Sequence, residues 1–390
     1  MSTSAREMAE GAAAVSRRRS HNVDRTERVV ASAPGKLILM GEHAAVYGRP
    51  ALVAALDRRT TVTIQRGAGG VELDLTTLEY RESTSWPDLL DYCETKRSEW
   101  RRFSENPEAA SVAALVGEQP AHVVRVALGE TMRDLDIDPP AIRVEVSSEI
   151  PVGSGFGSSA SVAVAIIGAL LELVGEPIDK ARVSRIALDV ERRQHGRPSG
   201  VDHTAVLNGG LLRLERVQGR LEALALEVSS RRLEDLLVFH TGSPPESTGT
   251  VVAAVRVQRE RDRDGFDDRL DRMERATRDF ETGLADPASG DILLRSTRAF
   301  EGCLEELGVV PDAIAARIRR LEAAGGAGKI SGAGTLSQNG AGALLVWPSP
   351  GSTSRRDGAD LKDLLSRYQS FGGGDRTMIG APGLSIEDRR

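Results

Sequence analysis

Periodicity along the chain switches between the two values that separate strands from helices. Ile142, Val144 and Val146 alternate with Arg143, Glu145 and Ser147, the two-residue period of a strand with one buried face. β-Branched and apolar runs flank Pro34-Gly35, which predicts two short strands around a Pro-Gly turn, with Lys36 at the start of the second. Residues 51–64 predict a further pair. The run SASVAVAIIGALLELVG at 159–175 is apolar on nearly every face and predicts a helix buried on all sides. Val183, Ile186, Ala187 and Val190 stand at i, i+3, i+4 and i+7 and predict a second helix, stopping near Gly196 and Pro198 and carrying Glu191 near its end. Beyond about residue 240 the pattern turns to long helices. One has Phe266, Leu270, Met273, Ala276 and Phe280 on a single face amid dense charge. Residues 85–111 carry two tryptophans with helical spacing and read as an insertion or lid, and residues 1–28 as a mobile tail.

No repeat of solenoid length is found, and strands mixed with helices in both halves predict an α+β protein. A chain of 390 residues exceeds one ordinary core, so two domains with a cleft between them are expected. The net charge of −6 gives no global basic field for nucleic acid or an anionic membrane, and neither is expected as a partner. The longest uncharged apolar stretch, 160–171, is shorter than the roughly 20 residues that cross a bilayer. Cys93 and Cys303 stand far apart in no metal-binding spacing, which suggests neither a disulfide framework nor zinc and fits a reducing cytoplasm.

Chemistry concentrates in three segments. PVGSGFGSSA at 151–160 follows a strand and opens the buried helix. Unpaired N–H groups and the positive end of a helix dipole suit a polyphosphate there, although the same residues would also make a tight turn capped by Ser158 or Ser159. The loop matches neither GxxxxGKS/T nor a dinucleotide fingerprint. HGRPSGVD at 195–202 is a rigid polar loop ending in Asp202. Lys36, Glu191 and Asp202 together supply the cation, the metal-binding carboxylate and the proton acceptor that phosphoryl transfer to an alcohol needs. Each also has an ordinary reading: a solvated strand lysine, a partner for Arg192 or Arg193, a helix cap. Glu42 and His43, read as neighbours on a strand, point to opposite faces and form no metal pair; a polar substrate contact is the better use.

APGKLILMGEHAAVYG at 33–48 resembles the first motif of the GHMP small-molecule kinases, and the 151–160 loop resembles their second. The GEHAAVYG ending, HGRPSGVD at 195–202 and MIGAPGLSI at 378–386 are most similar to mevalonate kinases, extending the likeness from about residue 30 to 387. The resemblance implies the two-domain GHMP kinase fold, α+β, with a ribosomal-protein-S5-like N-terminal domain over 29–229 and a ferredoxin-like C-terminal domain over 230–390, its final strand returning to the first. It implies a cytoplasmic enzyme, often a homodimer, that transfers the ATP γ-phosphoryl group to mevalonate with Mg²⁺. Lys36 and Asp202 would be catalytic. Pro151, Gly153, Ser154, Gly155, Gly157, Ser158 and Ser159 would bind ATP; Glu42, His43, Thr248, Gly332 and Ala333 the acceptor; and Ser158, Ser159 and Glu191 the metal. Two departures stand out: Glu246 occupies a place where arginine is usual, and the third motif, KISGAGTLSQNGAG at 329–342, is several residues longer than the compact form. They keep open a phosphomevalonate or sugar kinase, and a nucleotide-binding sensor of the same fold is the rival from another class. A binding module whose charged helix at 256–283 docks a partner is a weaker third reading, since that pattern most simply shows one core face and one solvated face.

Overall fold

The computed structural model describes residues 26–105, 119–153, 155–227, 233, 236–285, 290–348, 373–375 and 378–390. The first 25 residues of the expected tail, residues 106–111 of the insertion, Ser154 and the 229/230 domain boundary lie outside these.

Eight strands form the first sheet, in the order β12-β1-β2-β5-β3-β4, with β6 on the other half of β2 and β7 beyond it. These are β1 (Arg28–Met40), β2 (Ala51–Arg66), β3 (Val71–Leu75), β4 (Tyr80–Thr84), β5 (Ile142–Ser148), β6 (Leu211–Val217), β7 (Arg220–Ala225) and β12 (Ser385–Arg389). All pairings are antiparallel except β3 with β5. Helices α1 (Trp86–Glu105), α2 (His122–Leu135), α3 (Ser158–Leu173), α4 (Lys180–His195) and α5 (Val201–Asn208) accompany it. A second, antiparallel sheet runs β11-β8-β10-β9, built from β8 (Leu237–His240), β9 (Ala327–Ser331), β10 (Ala343–Trp347) and β11 (Gly373–Asp375). With it come α6 (Thr248–Arg261), α7 (Arg263–Ala285), α8 (Gly290–Glu306) and α9 (Asp312–Ala323).

Several expectations are corrected. Residues 28–40 form one continuous strand, not two around a turn, and Lys36 lies in its interior. The β12 pairing ends at Ser32, so Pro34, which has no N–H to donate, sits where β1 has no neighbour on that side; the register with β2 shifts between Pro34 and Gly35. Residues 51–66 are likewise one strand, long because its first half pairs with β6 and its second with β5. The charged stretch 256–283 is broken at Asp262, whose backbone is not helical and whose Oδ1 accepts from the Gly265 N–H at the start of α7. Glu42 and His43 lie past the end of β1, just ahead of a short 3₁₀ turn, and His43 has φ 58°.

The buried helix is as expected: Ala163 through Leu171 are all buried in α3. It fills a core with Val29, Ala31 and Ala33 of β1, while Leu37, Leu39 and Met40 of the same strand belong to the core shared with β8 to β10 and α6 to α9. A fully buried leucine or isoleucine contributes roughly 1.5–3 kcal/mol, so β1 ties two large cores together. Its tie to β9 is also polar. Ser331 Oγ donates to Ile38 O at 3.0 Å and accepts from the Ile38 N–H at 3.1 Å, and the fully buried Lys329 ammonium bonds Glu42 and, at 2.7 Å, Ile330 O.

Candidate active site

Where the two sheets meet, a cavity of about 1340 Å³ opens, lined from β1, the glycine loop, the starts of α3, α5 and α6, and the 332–334 turn. That exceeds the usual volume for one small ligand, roughly 300–1,000 Å³, and leaves room for a nucleotide and an acceptor side by side.

Lys36 projects from β1 with its side chain 3% exposed, and its Nζ lies 3.1 Å from Asp202 Oδ1, which is 32% exposed. A buried ammonium needs such a partner. Its stem lies across the glycine loop: the Lys36 N–H donates to Phe156 O at 2.8 Å, and a Cβ on Gly157, at φ 75°, would come within 2.7 Å of Lys36 Cγ. Only glycine suits that position. Gly157 is also the N-cap of α3, with no side-chain capping bond. Among the described residues no side chain is recorded as capping the helix, and Ser158 and Ser159 lie inside its first turn and not at the cap. Both serines line the cavity, as do Gly153, Gly155 and Gly157; Pro151 does not, and Ser154 is outside the described residues.

Glu191, buried on α4, is held by the residue after Asp202. Its Oε1 accepts from the His203 N–H at 2.9 Å and lies 3.2 Å from His203 Nδ1, while His203 Nε2 meets Ser184 Oγ at 3.1 Å. Burial opposes protonation of His203, but the Glu191 charge and hydrogen bond, with Asp202, outweigh it and raise its pKa. Glu191 thus pairs with neither Arg192 nor Arg193, and it is anchored the way a carboxylate metal ligand is usually oriented. Among the described residues no group of three or more His, Cys, Asp or Glu side chains is placed to hold a metal. One carboxylate and two hydroxyls lining one cavity with the glycine loop suit a cation that keeps waters and phosphate oxygens in its shell, as Mg²⁺ does.

Among the residues expected to meet the acceptor, His43 Nε2 donates to Ala333 O at 2.9 Å, leaving Nδ1 buried without a partner among the described residues. Burial pushes its pKa down, so the ring is neutral. Glu42, although on the cavity wall, is committed to Lys329 through a buried ion pair, and burial raises its pKa against that ammonium. Thr248 is the first residue of α6 behind the N-cap Ser247 and lines the cavity with Gly332 and Ala333. The lengthened third motif is pinned rather than loose: Thr335 Oγ1 donates to Glu246 at 2.6 Å, its N–H to Val309 O at 3.0 Å, and Gln338 Oε1 accepts from the Asp312 N–H at 3.0 Å.

One end of the cavity escaped the sequence reading. Leu75, Leu78, Val123, Val146 and Val162 form an apolar wall, drawn from β3, the 3₁₀ turn after it, α2, β5 and α3. No short motif could mark residues gathered from five elements.

The comparisons with known proteins follow these features. Residues 121–210 match the GHMP kinases N terminal domain, and residues 20–66 match the galactokinase galactose-binding signature. A mevalonate kinase of Thermococcus onnurineus is 32% identical over 315 residues, covering 79% of this chain and 86% of that one. The Pyrococcus horikoshii mevalonate kinase is 35% identical over 232 residues, 58% of this chain and 61% of its own length. The structure of L. major mevalonate kinase in complex with R-mevalonate superposes with a TM-score of 0.63 at 22% identity, covering 92% of this chain and 96% of that one, a likeness of fold. With these relatives and the glycine-serine loop, buried lysine and carboxylates in one cavity, the chain belongs to the mevalonate kinase family of the GHMP kinases.

Proposed function

We propose that this cavity transfers the γ-phosphoryl group of ATP to the primary hydroxyl of mevalonate, giving 5-phosphomevalonate and ADP. The observation that carries the chemistry is the Lys36 Nζ to Asp202 Oδ1 contact of 3.1 Å, beside the start of α3, whose N-cap is Gly157. In this reading the helix N-terminus and Gly153 to Ser159 hold the triphosphate, and the apolar wall around Leu75 and Val146 takes the base. Asp202 accepts the hydroxyl proton, and Lys36 stabilises charge on the transferring phosphoryl group. His43, neutral, lines the acceptor end with Thr248, Gly332 and Ala333 beside it. Ser158, Ser159 and Glu191 would hold Mg²⁺, which when bound supplies neutralisation of the phosphate oxygens. The proposal includes division near residue 230, supported by the separate second sheet. A cytoplasmic location is supported by the free, buried Cys93 and Cys303; a homodimer rests on the resemblance alone.

The test is ADP release with Mg-ATP against mevalonate, phosphomevalonate, galactose and homoserine, with Asp202→Asn alongside. Mevalonate-selective turnover that Asp202→Asn removes supports the reading. The galactose-binding signature over 20–66 favours a sugar kinase as the second reading, and preference for galactose would replace mevalonate while keeping the kinase chemistry. Nucleotide binding without turnover of any acceptor would point to a sensor.

A further inference from the structure

The 196–200 loop joins α4, which carries Glu191, to α5, which carries Asp202, and α1 grips it. Arg97, Trp100 and Ser104 share one face of α1 at spacings of three and four, with Phe103 beside them. Trp100 Nε1 donates to Gly196 O at 2.7 Å, and the Trp100 ring lies under the guanidinium groups of Arg192 and Arg193, 5.4 and 5.3 Å from its centroid. Gly196 has φ 74°, and a Cβ there would come within 2.6 Å of the Phe103 ring. Arg197 reaches Ser104 O at 3.4 Å. One turn further back, buried Arg97 makes two 2.7 Å bonds to the buried Glu130 carboxylate, which also lies 3.4 Å from Arg193.

A helix that merely covers a core does so with apolar side chains. Here directional polar groups fix one peptide of a left-handed glycine, and turning that peptide would swing the short Pro198-bounded segment that ends at Asp202. We propose that α1 is a positioning element for catalysis: the Trp100 indole N–H holds the Gly196 carbonyl and thereby sets the direction in which the loop presents Asp202 to Lys36. This rests on the reading of Asp202 as proton acceptor. Trp100 touches neither substrate in that reading and acts through the loop.

Trp100→Phe keeps a ring and deletes the N–H. With mevalonate and Mg-ATP, kcat falls roughly tenfold, about the effect of one lost hydrogen bond, while KM for both substrates stays within about twofold; amide hydrogen exchange over 197–203 quickens while β1 and β2 are unchanged. Gly196→Ala pushes the same contact from the loop side and gives the same split, so a poorly folding Trp100→Phe does not close the question. Parental kcat in whichever variant folds overturns the proposal, whatever its melting temperature, and so does a raised KM at unchanged kcat, which would make α1 only a wall. Asp202→Asn separates the two ideas. If it retains turnover, the proton-acceptor reading falls and the clamp with it; if it is inactive while Trp100→Phe is parental, the clamp falls alone.

Discussion

Lys36→Met should separate activity from stability. The side chain is 3% exposed and its stem packs on the glycine loop, but Asp202, its one ion-pair partner among the described residues, is 32% exposed. Methionine matches the stem and removes a charge whose desolvation opposed folding. The carboxylate left behind is solvated enough to avoid the roughly 3–5 kcal/mol penalty of an uncompensated buried ion. The net stability change is therefore roughly 1 kcal/mol in either direction, a melting shift of no more than about 4 °C. In the transition state the cation has no substitute of equal placement, so kcat should fall by about 10²–10⁴, or roughly 3–5 kcal/mol. Coupled ADP release gives the loss of kcat and a thermal melt the change in stability. A variant that keeps more than about a tenth of parental kcat would refute the assignment of Lys36 to the transferring group. One that melts much lower would show that the pair matters to the fold instead.

Two further outcomes follow from buried polar groups. Thr335→Val deletes a charge-assisted bond to Glu246 of 2.6 Å, worth roughly 1.5–3 kcal/mol, and should raise KM for mevalonate about 3–10-fold, with a smaller change in kcat; an unchanged KM would mean the third loop is ordered without that tie. Glu301, fully buried near Lys329, accepts from the Ile330 N–H at 3.1 Å and has its other oxygen unpartnered. Burial raises its pKa to about 8, Lys329 opposing in part. The folded chain then holds a proton that the unfolded chain releases above about pH 4.5, so this group makes stability fall as pH rises from there to about 8. Glu301→Gln should flatten that slope in melts between pH 5 and 8, and a slope identical to the parent's would assign it to another group.

The segments legible in sequence were those whose chemistry is local. The glycine-serine loop, HGRPSGVD and the GEHAAVYG ending each place a functional side chain by the conformation of a few adjacent residues, and the fold brings Lys36, Asp202, Glu191, Ser158 and Ser159 to one cavity. The misreadings came from partners distant in sequence. Pro34 reads as a turn because the strand whose pairing stops short of it, at Ser32 with Ser385, lies at the far end of the chain, and nothing near Pro34 in sequence reports that the missing N–H is harmless. The break at Asp262 was hidden among acids and bases that suit either a helix face or a cap. Glu42 looked available to substrate because Lys329, which claims it, comes from the other sheet.

Glu246 and the lengthened third motif are separate departures in sequence but one adaptation in space. An arginine at 246 would be a cation on the cavity wall; the glutamate instead accepts from Thr335, whose Oγ1 also meets Ser337 Oγ at 3.0 Å and the Ser337 N–H at 3.2 Å. Thr335 and Ser337 lie in the stretch where the motif is longer, so that stretch supplies the hydroxyl that meets the acid, Thr335 Oγ1, and Ser337, which bonds Thr335 in turn. The same loop presents Ala333 O to His43, which links the altered segment to the side chain proposed to meet the acceptor. Arginine at 246 alone would therefore remove the carboxylate to which Thr335 Oγ1 donates and put a cation in its place, and shortening the loop alone would leave Glu246 lining the cavity without that hydrogen-bond partner. Only the paired change should be neutral, so the two features should show coupling of roughly 0.5–3 kcal/mol in a double-mutant cycle on KM, and simple additivity would separate them again.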